Sequence, residues 1–181
     1  MLLQLCDASV RGLTPSVRAA EAGDSRAIGA LATRAWNTAY ADLLAPEVLA
    51  AMDPVEQAAD WHGYLRDLPA GDRVWVIGPP GAVWGFARTG PCPDMDAPPR
   101  AGEVHGLYLE PVRIGTGLGR QLFGHAVADL EARHGTVCVW HFAANDAAGR
   151  FYERAGFLLD GASRPSSFGV VEVRRSRPAR R

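Results

Sequence analysis

Asp24 reads as the cap of a helix, and after it apolar residues recur every three to four positions. Ile28, Leu31, Ala32, Ala35, Trp36 and Ala39 fall on one side of a helix running to about Tyr40. Pro46 suits the first turn of a short second helix, and a further helical stretch is expected from Val55 to Leu68. The same spacing returns at Leu118, Leu122, Phe123, Ala126, Val127 and Leu130, predicting a long helix that ends near His134-Gly135. Ala147–Ala155 is a shorter helix stopped by Gly156. Between these lie short runs rich in β-branched and aromatic residues, which read as strands: Ser16–Ala20, Arg73–Ile77, Val83–Thr89, Glu103–Leu109, Thr136–Phe142, Phe157–Asp160 and Phe168–Arg174. Gly78-Pro79-Pro80-Gly81 closes a hairpin, Pro69–Asp72 reads as a turn, and proline-rich Gly90–Gly102 as a loop. A hairpin demands antiparallel pairing and the strand–helix–strand units of the second half imply parallel pairing, so a mixed-sheet α/β fold is expected. Residues 1–15 read as a poorly specified leader, 16–175 as one domain and 176–181 as a basic tail expected to be disordered.

Composition narrows the chemistry. All 19 basic residues of the 181 are Arg. Without a lysine the chain has no Schiff-base mechanism and no Walker-type phosphate lysine. Net charge is −1, with 7 Arg against 10 acids over residues 1–90 and 12 against 10 over 91–181. Much of the second surplus is the terminal Arg174–Arg181 run, so no nucleic-acid partner is expected. Cys6, Cys92 and Cys138 are odd in number and far apart, so neither a disulfide framework nor a metal site is indicated. No signal-peptide pattern and no membrane-length apolar run is present, and a cytoplasmic protein is expected.

The most informative segment is Ile114-Gly115-Thr116-Gly117-Leu118-Gly119-Arg120, between a strand and a helix. Glycines there permit tight turns, and several backbone N–H groups together with the helix N-terminus can face one anion. The dinucleotide fingerprint fails, since Arg120 stands where its third glycine belongs. A phosphate cradle and plain turn chemistry both remain readings of the loop alone.

Context favours the cradle. Segment Glu103–Leu122 resembles motif A of the GNAT superfamily of acyl-CoA-dependent N-acyltransferases, in which a strand ends at a proline and a Q/R-x-x-G-x-G/A loop opens a helix. Gly117 and Gly119 take the two glycine positions, while Ile114 stands where Gln or Arg is usual and Arg113 lies one place early. Asn145 followed by Phe151-Tyr152-Glu153-Arg154-Ala155-Gly156-Phe157 is similar to motif B, and Trp36…Tyr40…Leu44 is similar to the N-terminal helices of bacterial members. The resemblance spans about Val17 to Arg174. It implies a single-domain, mixed, mostly antiparallel twisted sheet flanked by helices, with acetyl-CoA as co-substrate, no metal, and a small-molecule or peptide amine as acceptor. It also admits a homodimer.

The resemblance further implies roles. Glu103 matches the general base of members that have one, and Tyr152 the phenol that protonates the CoA sulfur. Asn145 would bind the pantetheine arm. Gly115, Thr116, Gly117, Leu118, Gly119 and Arg120 would hold the pyrophosphate, and Leu107 and Leu109 would offer backbone groups to the arm. Each has a plainer reading: a strand-edge carboxylate for Glu103, helix packing for Tyr152, a helix cap for Asn145. Strand alternation puts His105 on the face of Glu103, as a second candidate base or a core polar residue. Trp36, Tyr40 and the Trp61-His62 pair are acceptor-pocket candidates. A catalytically silent acyl-CoA-binding module is the alternative function. An antibiotic, a polyamine, an amino acid or a protein amino terminus would all fit as acceptor.

Overall fold

The computed structural model describes residues 14–179. The leader expected over 1–15, Cys6 with it, lies almost wholly outside them. Seven strands form one sheet in the order β1-β2-β3-β4-β5-β7-β6. They are β1 (Ser16–Ala19), β2 (Arg73–Gly78), β3 (Gly85–Pro91), β4 (Ala101–Leu109), β5 (Thr136–Phe142), β6 (Leu158–Pro165) and β7 (Val171–Pro178). All neighbours pair antiparallel except β4 and β5, which the helix after β4 makes parallel.

Five helices cover the sheet: α1 (Ser25–Ala39), α2 (Pro46–Ala50), α3 (Pro54–Arg66), α4 (Leu118–Glu131) and α5 (Asp146–Arg154). Pro46 and Pro54 occupy first turns, and the Asp53 carboxylate caps α3 by accepting from the Val55 and Glu56 N–H groups. Asp24 stands at the start of α1 but does not cap it. Its carboxylate instead takes a bidentate pair from Arg18 and the Glu21 N–H. On one side Ile28, Leu31, Ala32 and Ala35 of α1 pack with Val74, Val76 and Phe86. On the other, Leu118, Leu122 and Ala126 of α4 pack with Ile77 and Ala87, and Phe123, Val127 and Leu130 with Val137, Val139 and Phe157.

Two expectations are corrected. The proline-rich segment is shorter than Gly90–Gly102, because β3 runs through Pro91 and β4 starts at Ala101. Antiparallel pairing of Pro91 with Gly102 extends both strands into it. The expected tail likewise loses its first three residues to β7, where Ser176, Arg177 and Pro178 pair with Cys138, Val137 and Thr136. The Arg177 guanidinium there donates to Glu131 and to the Ala155 carbonyl.

Gly29 sets the α1–α3 contact. A Cβ there would lie 2.6 Å from the Ala58 backbone nitrogen, so the helices cross where a side chain is missing. Gly29→Ala should cost about 1–3 kcal/mol of overpacking, of which helix propensity returns up to about 1. A thermal melt should show Tm lower by a few degrees.

Candidate active site

β4 and β5 pair only from Ala101 to Val104 against Thr136 to Val139. Beyond Val104 the two strands part, and among the described residues the β5-facing edge of β4 has no strand partner. The parting coincides with a bulge. Thr89 pairs with Val104 and Arg88 with Gly106, so His105 is the extra residue on β4. Between the splayed strands lies a cleft of about 740 Å³, within the size range of small-molecule sites. Leu107 and Leu109 line it while packing with the α4 core cluster, which leaves their backbone groups as what they can offer a ligand.

The glycine loop closes one end. Gly115 and Gly117 have φ of +84° and +90°, the left-handed region, and a Cβ at either would point into open space. Gly117 is also the N-cap of α4, so the positive end of that helix opens here. Arg120, Arg150 and Arg154 also line the cleft and are exposed. Gly119 lets α4 start against Leu109, whose Cδ1 would lie 3.0 Å from an added Cβ. Thr116 does not line the cleft: its hydroxyl donates to the Arg113 carbonyl at 2.7 Å. The Leu118 side chain is core. Arg113 turns away and stacks on Trp84 at 3.5 Å, while Ile114 faces the cleft in its place.

Glu103 and His105 meet as alternation requires, with His105 Nδ1 3.1 Å from Glu103 Oε1. Glu103 is 5% exposed, and its second carboxylate oxygen is buried without a hydrogen-bond partner among the described residues. The strand-edge reading of Glu103 is therefore corrected: β5 pairs alongside and the carboxylate is buried. Tyr152 is 7% exposed and lines the cleft against Phe123 and Phe151. Burial, and secondarily the nearby Tyr108 phenol, push its own phenol well above the usual value near 10. Asn145 caps α5 by accepting from the Ala148 N–H at 3.0 Å and also lines the cleft. Its amide NH₂ has no hydrogen-bond partner among the described residues.

Trp36 and Tyr40 line the cleft and join Phe142 and Phe168 in an edge-to-face aromatic group. Trp61 does not reach it. It packs on Phe86 and Tyr64 in the α1-side core, and His62 is exposed.

Trp140, His141, Phe142, Phe168 and Glu172 line the cleft without having been singled out from the sequence. For the end of β5 a signal existed, because it is the partner from which Leu107–Leu109 parts. His141 is held neutral mainly by burial, which lowers its pKa. Its Nε2 accepts from Arg175 at 3.1 Å, and its Nδ1 lies 2.9 Å from the Phe142 carbonyl. Phe168 and Glu172 come from the β6–β7 hairpin, which carries no transferable motif.

Residues 36–157, which is 122 of 181, match the model of the acetyltransferase (GNAT) family. The chain belongs to the GNAT family. It is therefore an acyltransferase, and the fold of solved members agrees. PaiA N-acetyltransferase from Thermoplasma acidophilum, solved with coenzyme A, aligns at TM-score 0.69 and 13% identity, covering 91% of this chain and 100% of that one. YncA from Salmonella typhimurium, solved with acetyl-CoA, aligns at 0.69 and 21%, covering 93% and 95%. Ribosomal-protein-alanine N-acetyltransferase from Brucella melitensis aligns at 0.68 and 22%, covering 90% and 99%. No curated protein matches the chain. Among the described residues no helix is long and apolar enough to cross a membrane.

Proposed function

We propose that this GNAT protein transfers the acetyl group of acetyl-CoA to a primary amine by direct attack. The observation that carries the reading is the splay of β4 from β5. It opens a strand edge between the glycine loop and the Glu103–His105 and Tyr152 side chains. The pantetheine amides would add to that edge as a strand does. The pyrophosphate would sit on the Gly115–Arg120 backbone at the α4 N-terminus, with Arg120, Arg150 and Arg154 around it. Asn145 would donate to the arm. The thioester then lies near the end of β4, where a backbone N–H can hold the developing oxyanion.

An alkyl amine resembles Lys, with pKa ~10.4, so near neutrality most of it is protonated and cannot attack. Glu103, aided by its partner His105, takes that proton directly or through water. The neutral amine attacks the thioester carbon, the C–S bond breaks, the nitrogen releases its remaining extra proton to water, and Tyr152 donates a hydrogen bond to the leaving sulfur. Fixing both substrates in the cleft supplies much of the barrier reduction, on the order of 7–11 kcal/mol. Trp36, Tyr40, Phe142, Phe168 and Glu172 form the acceptor side. Their aromatic faces and one carboxylate suit a cationic amine, on a small molecule or a peptide.

A silent acyl-CoA-binding module would need the splay and the loop but not the buried Glu103–His105 pair. Binding and chemistry are therefore tested separately. For binding, acetyl-CoA at 100 times its Kd should stabilise the protein by about 2.7 kcal/mol, seen as a rise in Tm. Gly117→Val should remove that rise, since its Cβ enters the space where the pyrophosphate approaches. At φ +90° the branched residue also strains the loop, so Tm without ligand falls somewhat. A variant stabilised by acetyl-CoA as much as the parent would place the site elsewhere.

A further inference from the structure

Cys92 and Cys138 are 46 positions apart in the chain, yet their sulfurs lie 3.2 Å apart. They meet because they flank β4. Cys138 is the β5 partner of Glu103, and Cys92, one residue past β3, donates its backbone N–H to Ala101 of β4. Both are held firmly. Cys138 sits fully buried inside a paired strand. Cys92 is tied down through Asp94, which accepts from the Trp140 indole at 2.8 Å and from buried Arg174 at 2.9 Å. Cys92 is half-buried, so the pair has one reachable thiol and one shielded thiol. A carboxylate oxygen of Glu103 and the two sulfurs lie within 4.8 Å of one another.

We propose that Cys92 and Cys138 are a peroxide-sensitive dithiol, and that joining them as a disulfide disturbs the adjacent Glu103 and slows acetyl transfer. A redox-responsive cysteine is an accessible one beside a resolving partner, which is this arrangement. The Cys92 thiolate attacks one oxygen of a hydroperoxide, the O–O bond breaks, and a sulfenic acid forms. The released hydroxide takes up the proton that Cys92 gave up. The Cys138 sulfur then attacks the sulfenic sulfur, the S–S bond forms, the S–O bond breaks, and water leaves with the Cys138 proton. With hydrogen peroxide, two thiols and one peroxide give one disulfide and two waters, two electrons passing from sulfur to oxygen. Closure to a bond of ~2.05 Å draws the sulfurs together by roughly 1 Å. A shift of that size beside reacting groups costs on the order of 10²-fold in rate.

The coupling to turnover rests on Glu103 being the base; formation of the bond does not. The test uses the full chain carrying Cys6→Ser, treated with hydrogen peroxide and then assayed with and without dithiothreitol. Peptide mapping without reductant should show Cys92 joined to Cys138 and the chain lighter by two hydrogens. Turnover should fall about tenfold or more and return with dithiothreitol. Cys92→Ser in the same background should keep basal turnover and lose the peroxide response. Oxidation of Cys92 to sulfinic acid with no cross-link would overturn the proposal, as would a mapped cross-link that leaves turnover unchanged.

Discussion

Tyr152→Phe is expected to lower turnover about 100-fold, as suits a positioned acid–base group, while acetyl-CoA affinity stays nearly intact. The ring makes the packing contacts with Phe123 and Phe151, and the substitution keeps it. Only the hydroxyl is lost. Burial raises the phenol above its usual value near 10, so it is fully protonated near neutrality and available as a donor. The same shift makes it a poorer acid. The thiol of CoA resembles Cys, with pKa ~8.5, so complete proton transfer to the thiolate runs uphill. Tyr152 therefore acts chiefly by hydrogen-bonding the charge that develops on sulfur, and the thiolate takes its proton later from water. The split between a large loss in kcat and a small change in acetyl-CoA Kd distinguishes this from a packing role. A variant with parental turnover on a good acceptor would reduce Tyr152 to a packing residue.

Glu103→Gln should lower turnover at neutral pH by ~10²–10⁴-fold, the range for a lost general base. The deficit should shrink as pH rises toward the amine pKa of ~10.4, where the acceptor sheds its own proton. The amide is nearly isosteric and can still face His105, so the fold is not at stake. A pH–rate profile parallel to that of the parent would remove Glu103 from the mechanism, and His105→Asn would then be the variant to measure.

The sequence made the framework legible wherever a local rule decides. Pro46 placed a helix start, the Leu118–Leu130 spacing placed α4, and Gly115 and Gly117 marked a loop whose left-handed conformation only glycine adopts cheaply. It also put Glu103 and His105 on one face. Alternation did not reveal that His105 is a bulge residue, since that is fixed by register against Arg88 and Thr89. Strand ends were misjudged where pairing overrides local signals, as at Pro91 beside Gly102 and at Ser176–Pro178 beside β5. Asp24 read as a cap by position, yet Arg18 offered its carboxylate a charged partner that a backbone N–H does not match. Trp61 and Trp36 looked equivalent as aromatics on helices, and only the tertiary arrangement sends one to the core and the other to the cleft. The Cys92–Cys138 pair and the Phe168–Glu172 wall were invisible because sheet topology, not spacing, brings them together.

The most direct test of the central claim is release of free CoA from acetyl-CoA in the presence of a panel of primary amines. The panel would hold aminoglycosides, polyamines, amino acids and peptides with free amino termini. At least one amine should give saturable, amine-dependent thiol release with an equal yield of N-acetyl product, and that turnover should fall in Glu103→Gln. Acetyl-CoA that binds and raises Tm while no amine provokes thiol release would contradict a catalytic role and leave the chain an acyl-CoA-binding module.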